Sequence, residues 1–236
     1  MAMTGTILAG GENRRIPLLK GHIEINGKRI MDSSVSLMKS LFERVIISTN
    51  TPEFYFYCGA PMIGDIINQR GPLTGIVSVL SNIKDDAIFV VACDMPFLSE
   101  KLIRYMVERF NTEHRTQNTI PPTHPSPSRG EGKGGGERLD SGLWTLDSEQ
   151  RYDAVIPLFE GKPQPLFGIY SKNILGIIEE RLNKGLKKLK DMLTELKVLY
   201  IKEEEVRQID PEGRSFLNIN TMEDLEKVRG GKICLV

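Results

Sequence analysis

The stretch "AIFVVACD", Ala87 to Asp94, decides the fold. It is apolar at successive positions rather than alternate ones, so both of its faces are covered, as in a central strand of a parallel sheet. It ends in a carboxylate, and in such sheets ligands collect outside the carboxyl ends of the strands. Upstream, "LTGIVSVLSNI" has helical spacing, with its start marked by Gly71-Pro72. Downstream, "SEKLIRYMVERF" follows Ser99, a hydroxyl suited to capping a helix. Further out, "GTILA" (Gly5 to Ala9) and "RVIIST" (Arg44 to Thr49) read as strands, and "IMDSSVSLMKSLF" (Ile30 to Phe42) reads as a helix. Between them, "HIEINGKRI" alternates Ile23 and Ile25 before an Asn26-Gly27 turn signal. Strand and helix thus alternate without hairpins through the first half of the chain, which predicts a doubly wound α/β sheet.

The pattern breaks at Asn111. From there to Gly142 the chain is rich in Pro, Gly and Ser and almost without apolar residues. Such a composition buries too little surface to offset chain entropy, so residues 111–150 are read as a disordered or low-complexity insertion in one domain spanning 1–236. Its His114 and His124 lack the spacing of metal ligands. Folded sequence resumes near Tyr152. Two strands are expected around the turn Glu160-Gly161-Lys162-Pro163, then helices in "NILGIIEERLNKG" and "KKLKDMLTEL". Strands in "KVLYI" and "SFLNIN" and a capped helix in "TMEDLEKVRGG" complete the chain.

Composition excludes several classes. The 31 basic and 31 acidic residues cancel, which argues against a general nucleic-acid or membrane surface. The basic run "KGLKKLKD" (Lys184 to Asp191) reads first as the solvated face of a helix, with a phosphate or partner patch as the other reading. Cys58, Cys93 and Cys234 are far apart, so neither a zinc site nor a disulfide framework is indicated. No stretch has the pattern of a signal peptide, and no apolar run approaches the length of a membrane span. The expectation is a cytoplasmic, reducing compartment.

Two strand ends carry candidate chemistry. "TILAGGENRRIPLLKGH" (Thr6 to His22) runs from a strand into Gly10-Gly11, then Arg14, Arg15 and Lys20. It fits neither the P-loop nor the dinucleotide fingerprint. Glycines let backbone amides approach phosphate, while Arg and Lys neutralise it; a plain turn fits these residues equally well. In "ACDMPFL", Asp94 either holds a Mg²⁺ shared with substrate phosphates or caps a neighbouring turn. Cys93 reads as a small buried hydrophobe. Asp65 follows a short strand and could approach the same edge, with Arg70 and the glycines of "RGPLTG" adding donors.

Taken in order, "LAGG" with Arg15 and Lys20, "GPLTGI" (Gly71 to Ile76), "CDMPFL" (Cys93 to Leu98), "QPLFGIYSK" (Gln164 to Lys172) and "NINTMEDL" (Asn218 to Leu225) resemble the molybdenum cofactor guanylyltransferases. That resemblance implies a three-layer α/β/α, Rossmann-like nucleotidyltransferase fold with a mostly parallel sheet. It implies transfer of GMP from GTP to the terminal phosphate of molybdopterin, with Mg²⁺ as cofactor and molybdoenzyme-maturation proteins as onward partners. Gly10, Gly11, Arg15 and Lys20 would wrap the triphosphate, and Asp94 would bind the metal. Leu8, Ala9, Gly10 and Asp65 would border guanine and ribose. Gln164, Asn218 and Asn220 would lie on the pterin side. Relatives that transfer CMP typically read Leu-Ala-Ala-Gly, so the second glycine favours a guanine nucleotide. Where the family usually has Arg-Met-Gly before the lysine, this chain has Arg15-Ile16-Pro17. Proline removes one backbone donor there. The alternatives are a transferase using CTP or another phosphate acceptor, and a GTP-binding regulator without turnover.

Overall fold

The computed structural model describes residues 2–10, 20–116 and 151–229. Gly11, Arg14, Arg15, Pro17, His124 and Cys234 lie outside the described residues, as do the side chain of His114 and the insertion reading from residue 117 onward.

The parallel strands expected from the sequence are β1 (Met3–Leu8), β4 (Val45–Ser48), β5 (Met62–Ile63) and β6 (Ala87–Ala92). β7 (Ala154–Phe159), β9 (Phe167–Ser171) and β10 (Val198–Ile201) extend the sheet, giving the order β10-β7-β9-β6-β1-β4-β5. Only β9 in this row runs against its neighbours. β8 (Lys162–Pro163) folds back on β7 through the left-handed pair Glu160 and Gly161. The region thus holds three strands where the sequence suggested two.

β6 is central, and all six of its residues are buried. Phe89 and Val91 pack on one face against α1 (Ile30–Leu41) and α3 (Glu100–Thr116). Ile88 and Val90 pack on the other against α2 (Pro72–Asn82) and α4 (Leu175–Asn183). This two-sided burial is the reason the segment lacks alternation, and it yields the three-layer α/β/α architecture. α5 (Leu189–Met192) joins the second face, and α6 (Glu203–Ile209) the first through Val206.

The structure corrects three expectations. A two-residue hairpin of β2 (Glu24–Ile25) and β3 (Lys28–Arg29) stands off the main sheet in the half read as free of hairpins. Its Asn26 and Gly27 have φ of 53° and 74°, the pair of positive values that such a tight turn demands. α3 continues to Thr116, so residues 111–116 belong to a helix and not to the insertion. "SFLNIN" is not a strand. Its first residues sit in a 3-10 turn, Arg214–Phe216, whose Arg214 and Ser215 amides donate to the Asp210 carboxylate. The rest then crosses the sheet rim, where Ile219 N–H donates to the Asp94 carbonyl at 3.0 Å. Asp94 lies beyond the end of β6, so that bond starts no ladder. α7 (Met222–Arg229) follows, capped by the Thr221 hydroxyl as the sequence suggested.

Candidate active site at the carboxyl rim of the sheet

Strand register aligns Leu8, Ser48, Ile63 and Ala92 in one row across β1, β4, β5 and β6. Everything that follows these residues stands on a single rim. Ala9 N–H donates to the Ser48 carbonyl at 2.8 Å, and Cys93 N–H donates to the Leu8 carbonyl at 3.0 Å. These bonds hold the exits of three strands together before the chain diverges.

Gly10 comes next. Among the described residues nothing lies within 4 Å of where its Cβ would stand, so none of them requires a glycine there. A bare backbone on the rim is what a close ligand would need. Gly75 differs: a Cβ would stand 2.7 Å from Ser48 Oγ and 3.0 Å from Leu8 Cδ2. The glycine lets α2 press its first turns against the ends of β1 and β4. That first turn carries no acidic residue, and no side chain caps it. The positive end of the helix therefore lies on the rim with no acidic residue of its own first turn against it.

The chemically dense part of the rim lies around Asp94. Lys20 Nζ donates to Asp94 Oδ2 at 2.8 Å and to Asn220 Oδ1 at 2.6 Å. Three segments far apart in sequence meet at that ammonium. The lysine and aspartate side chains are 24% and 14% exposed, so the pair is shielded yet reachable. The other carboxylate oxygen, Asp94 Oδ1, is buried and has no hydrogen-bond partner among the described residues, and neither has Asn218 Oδ1. Buried acceptors left empty in a folded protein call for a cation or a donor from outside. Oxygen donors of this kind suit Mg²⁺, which takes one or two carboxylates and completes its shell with water and substrate phosphate. Among the described residues no cluster of three or more His, Cys, Asp or Glu could hold a metal alone. Cys93, beside Asp94, is buried, and burial pushes its thiol up to about 12, so it is no thiolate.

Asp65 marks the far end of the rim. It follows β5, three strands from β6, which is about 14 Å at ordinary strand spacing. It is therefore too far from Asp94 to share one ion. Asn50 holds it twice, donating from Nδ2 to Asp65 Oδ2 at 2.6 Å and accepting from Asp65 N–H at 2.7 Å. Burial raises its carboxyl above the usual range, and the Asn50 bond offsets part of that rise. Asn50 was not singled out from the sequence. An Asn just past a strand carries no pattern of its own.

On the other side of β6, the turn before β9 brings Gln164 to the same rim, since Phe167 pairs with Val91. The Gln164 amide reaches the Phe159 and Lys162 carbonyls only at 3.5 Å, so it is weakly engaged. The resemblance groups Asn220 with Gln164 and Asn218 on the acceptor side; the structure joins it directly to Lys20.

Residues 5–199 match the family described as the MobA-like NTP transferase domain. The chain belongs to that family. It is a nucleotidyltransferase. The molybdenum cofactor guanylyltransferase of Desulfosudis oleivorans is 30% identical, with 98% of each chain aligned. The molybdenum cofactor guanylyltransferase of Syntrophotalea carbinolica is 29% identical, over 96% of this chain and 90% of its own. Among solved structures, molybdopterin-guanine dinucleotide biosynthesis protein A from Archaeoglobus fulgidus superposes with a TM-score of 0.68. That comparison covers 96% of this chain and 97% of the other at 24% identity, and so speaks for the fold. The span matched to the MobA-like domain runs from within β1 to within β10 and so takes in the aligned strand ends of the rim, Leu8, Ser48, Ile63 and Ala92. The strap carrying Asn218 and Asn220 follows it. No helix among the described residues is long and apolar enough to cross a membrane.

Proposed function

We propose that the chain transfers GMP from GTP to the terminal phosphate of molybdopterin, forming the guanine dinucleotide and releasing pyrophosphate. The observation that carries this reading is the meeting of Lys20 with Asp94 at the strand end, where Asp94 Oδ1 stands buried and unpartnered. The names of the full-length relatives supply the substrates.

In this reaction a phosphate oxygen of the acceptor attacks the α-phosphorus of GTP. The bond to the α,β-bridging oxygen breaks, and its electron pair leaves with pyrophosphate. The nucleophile is already anionic, so no strong general base is needed. Catalysis reduces to alignment and neutralisation of charge. Lys20 would leave its resting partners and neutralise the departing pyrophosphate, together with Arg15. The backbone at Gly10 and Gly11 would lie along the phosphates, with Leu8 and Ala9 bordering the nucleoside. Asp65, held by Asn50, would face the ribose or base. Gln164 and Asn218 would receive the pterin, and Asn220 would guide Lys20 between its two states. Asp94 would hold Mg²⁺ through its unpartnered oxygen. Bound there, the ion would neutralise phosphate charge.

The test supplies GTP or CTP, Mg²⁺ and molybdopterin and follows pyrophosphate. Release with GTP and not CTP is expected. Release with CTP alone would overturn the base assignment, and tight GTP binding without release would mark a non-catalytic regulator.

A further inference from the structure

The residues that place Lys20 are built from an aromatic segment that the reaction itself does not use. Lys20–His22 forms a single 3-10 turn, closed by Ile23 N–H donating to the Lys20 carbonyl at 3.2 Å. His22 Nε2 lies 2.8 Å from the Phe54 carbonyl. A carbonyl only accepts, so Nε2 carries the proton and donates. The imidazole also meets three rings close to edge-on, with centroids 6.4 Å from Phe54, 5.7 Å from Tyr55 and 5.5 Å from Tyr57. Between Lys20 and His22, Gly21 is buried against the same segment. A Cβ there would stand 3.1 Å from Tyr55 Cε1.

The root of this segment touches the other side of the glycine-arginine stretch. Thr49, where β4 ends, donates its hydroxyl to the Ala9 carbonyl at 3.3 Å. Residues 49–57 thus grip the chain both before residues 11–19, at Ala9, and after them, at Gly21 and His22. Fixing both sides fixes where the Lys20 ammonium starts and how far it must travel.

We propose that His22 is a positioning residue for Lys20, acting through the clamp formed by Thr49, Phe54, Tyr55 and Tyr57. The proposal rests on the reading of Lys20 as a charge-neutralising group in GMP transfer. The histidine touches no reacting atom. Its hydrogen bond and ring contacts set the turn from which the lysine side chain projects. Gln at this position keeps a donor at nearly the same reach, whereas Leu keeps bulk and loses the donor.

The experiment compares His22→Leu, His22→Gln, Lys20→Ala and the His22→Leu/Lys20→Ala pair in the full chain. Three quantities are followed: GMP transfer, melting temperature, and acylation of the Lys20 amine by a water-soluble ester, mapped by mass spectrometry. His22→Leu is expected to lower kcat/KM about tenfold, with His22→Gln recovering to within about twofold and no further loss on the Lys20→Ala background. Lys20 acylation should rise in His22→Leu and return to the parent level in His22→Gln. Additive losses in the double variant, or unchanged acylation in His22→Leu, would overturn the positioning role. His22→Ala carries the same comparison should leucine not be accommodated. If Lys20→Ala transfers GMP as well as the parent, the reading of Lys20 in the reaction fails. The acylation pattern then still reports whether the clamp holds the side chain, so the two failures are distinct.

Discussion

At the scale of single residues, the site is a shielded cation resting on a carboxylate that has one oxygen still free. Asp94→Asn keeps the shape, removes the charge and breaks the pairing with Lys20. Turnover should fall by at least about a hundredfold, as when a preorganised charge is lost from a transition state. Melting should change little, because Asn removes the shielded negative charge rather than stranding it, and Lys20 keeps its bond to Asn220. Parent-like pyrophosphate release in this variant would sink the metal assignment. Asp94, Lys20 and Asn220 could each be named from the sequence because each lies in a short motif that carries the family resemblance. Their mutual contact could not, since it joins positions 74 and 200 residues apart. Asn50 and His22 were missed for a related reason. Their role lies in contacts with residues well separated in sequence, which leave no periodic trace.

Among the elements, those with strong periodicity emerged from the sequence and those with a single buried anchor did not. β6 and α1 to α4 were legible, since each buries a full face or stripe. α6 was not, because Val206 is its only buried residue. Its attachment is polar: Tyr105 Oη donates to Glu205 Oε1 at 2.5 Å, and Arg109 pairs with the same oxygen. Burial raises the Glu205 carboxyl, but the bonds from Tyr105 and the Lys202 amide and the charge of Arg109 outweigh it and hold it below its ordinary 4.5. A depressed carboxyl contributes stability that is complete above 4.5 and is lost as pH falls through the lower, folded-state value. Glu205→Gln should therefore flatten the acid limb of a stability-versus-pH curve measured by urea unfolding; an unchanged limb would contradict this. The helix α2 permits a second test. Gly75→Ala places a methyl 2.7 Å from Ser48 Oγ, and such overpacking costs about 1–3 kcal/mol. Ser48→Ala in the same chain should recover part of that loss and part of any loss in GTP affinity, read by denaturant titration and calorimetry.

For the whole molecule, two large apolar clusters share the sheet, one on each face, while a third is small and separate. It joins Ile23, Ile25 and Ile30 to Ile219, Leu225 and Val228, and so ties the β2–β3 hairpin to α7 across the rim. Lys20 and Asn220 are each a few residues from that cluster. Leu225→Ala should accordingly raise amide exchange in the hairpin and α7 while leaving β6 protected, with GMP transfer reduced. Uniform loss of protection would show that the three clusters unfold as one. The alternation of strands and helices made the layered architecture legible, but nothing local announced this third cluster, whose halves lie at opposite ends of the chain. The reversed strand β9 has a consequence of another kind. Parallel strands bring only their exits to the rim, whereas β9 brings its lead-in, Gln164 to Leu166, beside them. On the proposed reading, the nucleotide side of the rim is then written mostly in the first half of the chain and the acceptor side in the second, with Asn220 reaching across to Lys20. Two vocabularies share one sentence, and either can be rewritten while the other keeps its meaning. Exchanging residues 164–166 for those of a relative with another acceptor should redirect the product and leave GTP affinity where it was.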